Sequence, residues 1–167
     1  MLYVKRMNDV PGSFLFGKVD TQAGFGTTGH SMGGGGAISS AASLSARSLN
    51  IRASAPVHPA PWSGGAVGAP AVPMLVMAGA LDTTTQATLI KSRVYDARSS
   101  YPKIMATMTT APHNEQVDWI GLKRWSSYIV AWFRLYLMGE TAIEPIFWDP
   151  RGNLRTDSRM LSVLVKL

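Results

Sequence analysis

The sequence predicts an α/β fold, a mostly parallel sheet with flanking helices. Three observations carry this expectation. An apolar run of strand length occurs at 73–79, closed by glycine, with a second buried-looking strand at 103–108 and a plausible one at 51–57, Ile-Arg-Ala-Ser-Ala-Pro-Val. Segments of helical character lie between and after them. Ser31, Asp82 and His113 each fall just beyond a strand-like run, at the carboxyl ends where open α/β sheets place their ligands.

Along the chain, residues 1–9 read as the tail of a helix, which Pro11-Gly12-Ser13 breaks before the short run Phe14-Leu15-Phe16. Gly24 to Thr28 reads as a strand, though a poor strand former, because glycine packs no side chain and costs backbone entropy. A helix from Ser31 to about Ser48 is rich in alanine and serine, with Leu44 and Leu49 among its few large apolar groups. After the strand at 51–57 comes a Pro/Gly-rich loop from His58 to Pro70 that carries Trp62. The run Pro73-Met74-Leu75-Val76-Met77-Ala78-Gly79 is the next strand, and residues 85–99 form a helix with Leu89, Ile90 and Val94 facing inward. After the strand at 103–108, Asp118 to Met138 is the strongest helix. Trp119, Leu122, Tyr128, Ile129, Trp132, Phe133 and Tyr136 give it a broad apolar stripe, and Gly139 stops it. Residues 140–167 hold an aromatic pair, Phe147-Trp148, a turn at Asp149 to Gly152 and a short apolar end, with no internal repeat or low-complexity tract anywhere.

Composition narrows the function classes. A chain of 167 residues fits one domain. No apolar run approaches the roughly 20 residues that span a bilayer. The net charge is +6, but the basic residues are scattered, with Lys5-Arg6 and Lys123-Arg124 as adjacent pairs, so no nucleic-acid partner is expected. The absence of cysteine removes disulfides and thiolate metal sites and leaves the redox compartment open. The opening residues lack the apolar core and cleavage site of a signal peptide.

The most informative motif is Gly29-His30-Ser31-Met32-Gly33, a G-x-S-x-G turn that lifts a serine hydroxyl from a strand onto the start of a helix. The serine is expected in a strained backbone conformation, and a side chain at either flanking glycine is expected to collide with the neighbouring strand or helix. Gly33 to Gly36 are expected to keep the helix start narrow against the sheet. A serine hydroxyl is a weak nucleophile, so an imidazole must take its proton and later return it to the leaving group, and a carboxylate must fix the tautomer of that imidazole. The chain order Ser31, Asp82, His113 is that of the α/β-hydrolase fold and differs from the orders of the two large serine-protease classes. The N–H of Met32, the residue after the serine, is the expected oxyanion donor.

Gly17-Lys18-Val19-Asp20-Thr21, followed by a short strand and then GHSMGGGG, resembles the cutinase-like polyester hydrolases, a lipase-cutinase group that includes enzymes acting on poly(ethylene terephthalate) and is related to dienelactone hydrolases. The likeness covers most of residues 10–138. It implies a serine carboxylic-ester hydrolase with Ser31, Asp82 and His113 as its triad and an oxyanion N–H on Met32. An aromatic cleft residue in Pro61-Trp62 is also implied, with no cofactor and a small-molecule or polymeric ester as substrate. It also suggests an extracellular location. The family's first strands, and the loop that gives its second oxyanion donor, precede the Gly-Lys-Val-Asp segment. The chain is thus expected to be the C-terminal portion of the fold, one domain over 1–167 incomplete at its N-terminus with an extension over 140–167, and to turn over slowly by itself.

Other readings of the same residues stay open. The chain could be a non-catalytic remnant or binding module of this fold, or a thioesterase or peptidase, which a triad alone does not separate from an esterase. His58 competes with His113 as the base but lies before Asp82, against the expected order. His30 is expected to be a wall of the cleft, and Asp96 and Asp118 to be solvated. Gly24 to Gly29 also spells G-x-G-x-x-G, yet no acidic residue lies in 42–55 to complete a dinucleotide site. The three histidines are far apart in sequence and no H-x-x-x-H occurs, so no metal site is expected.

Overall fold

The computed structural model describes residues 1–42, 45–60, 70–115 and 119–167, with the backbone alone at 45 and 119–123. Strands β1 (Phe25–His30), β2 (Ile51–Val57), β3 (Met74–Gly79) and β4 (Lys103–Met108) lie side by side in chain order and all run parallel. A fifth strand, β5 (Met160–Lys166), pairs antiparallel with β4 through Ile104↔Val165 and Ala106↔Val163. The α/β expectation holds, and the runs at 51–57, 73–79 and 103–108 are strands to within a residue of the expected limits. β5 was expected only as a short apolar end. Its burial does not alternate cleanly and Leu161 is exposed, as befits an edge strand, so its sequence lacks a sharp period-two signal.

Both faces of the parallel strands are covered, which is why β3 and β4 are buried along their whole length. Alternate side chains feed two cores. Leu75 and Met77 join Ile104, Trp125, Trp132 and Phe147 on one face, while Met74, Val76 and Ala78 join Ile38, Ile90 and Val94 on the other. The first face is closed by α5 (Trp119–Met138), whose residues Trp125, Tyr128, Trp132 and Leu135 are buried at helical spacing. Trp125 and Leu135 were not singled out in the sequence, and the side chains of Trp119 and Leu122 lie outside the described residues. The indole of Trp132 meets Tyr136, Phe147 and Trp148 at ring-centroid distances of 4.7, 5.0 and 5.9 Å. Gly139, at φ 68°, ends the helix as expected.

The glycines of β1 have a packing reason. A β-carbon on Gly26 would stand 2.4 Å from Cε1 of Phe133, so the weak strand former makes room for α5. The helix expected from Ser31 begins at Met32 and divides into α2 (Met32–Ala42) and α3 (Ser45–Ser48), and Leu44 lies outside the described residues. The helix expected over 85–99 is shorter, with α4 (Ala87–Ile90) running into a π-helical turn at Lys91–Tyr95. It stops there because the buried ammonium of Lys103 takes up the carbonyls of Val94, Tyr95 and Ala97, satisfying the helix end from the next strand. That burial pushes the Lys103 ammonium down to about 8. Ile90 and Val94 are buried as expected, whereas Leu89 is only half-buried. Helix α1 (Leu2–Asp9) buries none of its residues, and α6 (Pro145–Trp148) and α7 (Asn153–Thr156) lead into β5. No helix among the described residues is long and apolar enough to cross a membrane.

Candidate active site

Each parallel strand delivers one polar side chain beyond its carboxyl end. Ser31 follows β1, His58 follows β2, Asp82 lies three residues after β3 and His113 five after β4. Because neighbouring strands stand about 4.8 Å apart, four such residues on adjacent strand ends fall within reach of one another.

Ser31 has φ 53°, in the left-handed region that a non-glycine residue rarely enters, the strained conformation expected for the serine of a G-x-S-x-G turn. The turn is tied on both sides. The N–H of Ser31 donates to the carbonyl of Val57 at 3.1 Å, and its own carbonyl accepts from Ala60 at 2.8 Å and Gly35 at 3.0 Å. The expectation that both flanking glycines are sterically required is half corrected. A β-carbon on Gly29 would stand 2.4 Å from the carbonyl oxygen of Gly33, but one on Gly33 would meet nothing within 4 Å. Close packing instead falls on Gly34 and Gly35, against Pro59 and Ala60, while Gly36 is open. Helix α2 begins at Met32, so the Met32 N–H belongs to the first turn, where amides have no intrahelical acceptor.

The Oγ of Ser31 and Nε2 of His113 are 3.0 Å apart, and Nδ1 of His113 is 2.8 Å from Oδ2 of Asp82. An ionised carboxylate only accepts, so Nδ1 carries the proton and Nε2 is left as the acceptor for the serine hydroxyl. Asp82 is 4 % exposed. Burial opposes its ionisation, but the hydroxyl and backbone N–H of Thr85, with His113 and His58, outweigh that and hold the carboxyl well below its usual range. Oδ1 accepts the N–H groups of Thr84 and Thr85 at 2.8 and 2.7 Å, and Oδ2 lies 2.5 Å from the Thr85 hydroxyl.

The three histidines, far apart along the chain, meet here, and His30 and His113 lie at one site as expected of a cleft wall and a base beside Ser31. The His30 and His113 rings are 4.6 Å apart, and Nε2 of His30 donates to the His113 carbonyl at 2.8 Å, so His30 braces the loop that carries His113. Burial lowers the His30 pKa, partly offset by that bond. His58, expected at most as a competing base, bonds Oδ2 of Asp82 through Nδ1 at 2.6 Å and is fully buried, away from the serine hydroxyl that His113 holds. Nδ1 of His58, Nδ1 of His113 and Oδ2 of Asp82 lie close enough to invite comparison with a metal site. However, a tetrahedral ion with bonds near 2.0 Å holds its ligand atoms about 3.3 Å apart. The 2.6 and 2.8 Å separations are hydrogen-bond lengths.

Sequence reasoning missed His58 as a partner of Asp82, Thr85 as its hydroxyl donor, and Trp125, whose ring covers His58 at 5.5 Å. The signal for Thr85 was present, since an Asp followed three residues later by a threonine forms a local side-chain turn. Trp62 and Asp118 lie outside the described residues. Asp96 is exposed as expected and pairs with Lys91 at 2.8 Å.

The model of the PET hydrolase-like family matches residues 1–159. No curated protein matches the chain. The matched family is one of α/β-hydrolase proteins that act on esters, and the mostly parallel sheet described above is built in that way. With nearly its whole length inside that match, the chain belongs to the PET hydrolase-like family.

Proposed function

We propose that the chain hydrolyses carboxylic esters, small or polymeric, through an acyl-enzyme on Ser31. The observation that carries this reading is the unbroken relay Ser31–His113–Asp82, with 3.0 and 2.8 Å contacts. Nε2 of His113 removes the Oγ proton as Oγ bonds to the ester carbonyl carbon, and the carbonyl oxygen takes up the electron pair as an oxyanion. The Met32 N–H, at the positive end of α2, donates to that oxyanion. As the tetrahedral species collapses, the C–O bond to the alcohol breaks and the imidazolium gives its proton to the departing oxygen. Water then repeats the sequence, with His113 as base, to release the acid and restore the serine. Asp82 stays ionised throughout and stabilises the imidazolium.

His30 contributes indirectly, by holding the main chain of His113, and the exposed Met32 side chain borders the nucleophile as part of the ester-binding surface. Trp62 is proposed as an aromatic wall of the same cleft. The reaction needs no cofactor. Hydrolysis of para-nitrophenyl butyrate tests the reading. Ser31→Ala and His113→Ala are expected to lower kcat by at least about 1,000-fold. Turnover by either variant at the rate of the unmodified protein would contradict the reading.

A further inference from the structure

We propose that His58 is a positioning residue of this centre, a neutral second imidazole whose Nδ1–H shares Oδ2 of Asp82 with His113 and so fixes the carboxylate and moderates the charge that His113 feels. This rests on the esterase reading of Ser31 and goes beyond it.

The geometry is unusual for a carboxylate whose task is to orient one base. Oδ2 has His58 Nδ1 at 2.6 Å, His113 Nδ1 at 2.8 Å and the Thr85 hydroxyl at 2.5 Å, so three donors converge on one oxygen. The two imidazole planes meet at 86°, which lets both N–H groups reach that oxygen without the rings colliding. His58 is the more deeply held of the two, with its side chain fully buried against 16 % exposure for His113. Its backbone is also constrained, at φ 41°, with its N–H bonded to the carbonyl of Met77 at 2.8 Å.

Nothing among the described residues places His58 to act as the base itself. Its Nε2 is buried with no hydrogen-bond partner among the described residues. Among the described residues, the titratable groups facing the ring are His30 from the end of β1, Asp82 from the loop after β3 and His113 from the loop after β4, and α5 presents the neutral indole of Trp125. Burial, opposed by the bond to Asp82, lowers the His58 pKa, so the ring stays neutral with its proton on Nδ1. A neutral donor on Oδ2 stabilises the ionised carboxylate whatever the state of His113. It also takes part of the carboxylate's acceptor capacity, so His113 faces a less demanding partner than it would alone.

The test is the pH profile of kcat/KM on para-nitrophenyl butyrate for the full chain, His58→Asn and His58→Phe, with fluorophosphonate labelling of each. Asparagine places an N–H near the position of Nδ1, and phenylalanine removes the donor while keeping the ring. His58→Asn is expected to keep the acid limb within about 0.3 pH unit. His58→Phe is expected to move it up by about half to one unit and to lower kcat about tenfold with KM unchanged. A labelled His58→Phe protein with an unmoved limb and unchanged kcat overturns the proposal, as does identical behaviour of the two variants. If the unmodified chain neither labels nor turns over, the esterase reading itself fails. Should His58→Phe not fold, nitrogen-15 shifts of the unmodified protein decide. His58 must be protonated on Nδ1 and bare on Nε2 at and above the ordinary imidazole midpoint of about pH 6.5, and a ring half-protonated there overturns the proposal.

Discussion

A β-carbon on Gly29 would sit 2.4 Å from the carbonyl oxygen of Gly33, while the same addition on Gly33 would enter open space. The two glycines around Ser31 are therefore inequivalent. Gly29→Ala must displace the first turn of α2 and is expected to cost about 2–3 kcal/mol together with most of the activity. Gly33→Ala should instead raise stability by about 0.5–1 kcal/mol, as expected when a helical glycine gains a methyl group without a clash. Thermal unfolding of both variants checks this, and equal destabilisation would mean that the elbow is built differently.

Trp132 is fully buried between the sheet and the α6 segment, with Tyr136, Phe147 and Trp148 around its ring. Trp132→Ala is expected to cost about 3–5 kcal/mol, the usual penalty for an aromatic cavity. Denaturant titration measures it, and a loss below about 1 kcal/mol would place the core of that face elsewhere.

Acid should unfold the protein in two windows. His58 has a folded-state pKa below its unfolded value of about 6.5, so above that pH it is neutral in both states and has no effect. Below it the unfolded chain takes a proton that the folded interior refuses, and stability declines by up to about 1.4 kcal/mol per pH unit until the folded ring also protonates. Asp82 is depressed as a carboxylate, so its contribution is present above about pH 3.9 and lost as pH falls through its lower folded value. Melting temperature should thus begin to fall as pH drops below about 6.5, and fall again below about pH 4. His58→Asn should flatten the first decline without abolishing it, because burial lowers the His30 pKa too, and should leave the second. An unchanged first decline in that variant would contradict the assignment.

Thr85 supports Asp82 through its hydroxyl at 2.5 Å, and that hydroxyl also lies 3.1 Å from the carbonyl of His58. Thr85→Val keeps the shape and the backbone N–H but loses this donor. The expected cost is about 2 kcal/mol of stability and about a tenfold lower kcat with little change in KM. Steady-state kinetics of the folded variant checks it, and full retention of kcat would show the carboxylate to be held adequately by the others.

The legible parts of this molecule were those whose signal is local. Buried parallel strands are largely apolar, so 73–79 and 103–108 are legible, 51–57 less so because Arg52 and Ser54 interrupt it, and the strained serine turn carries its own short motif. The meeting of Ser31, Asp82 and His113 is legible in chain order. His58 lies before Asp82, against that order, and nothing in a linear sequence shows two strand ends aiming donors at the same oxygen. β5 is hard to read from sequence because an edge strand needs no continuous apolar run. The π-helical end of the segment after α4 depends on Lys103, a tertiary partner no window on residues 85–99 contains.

The central claim is that Ser31 is a nucleophile activated by His113, and covalent trapping tests it most directly. The full chain treated with a fluorophosphonate should gain one adduct, mapped by peptide mass spectrometry to Ser31, and the adduct should be lost in Ser31→Ala and slowed at least about 100-fold in His113→Ala. Equal labelling of the unmodified chain and Ser31→Ala, or an adduct mapped to another residue, would contradict it.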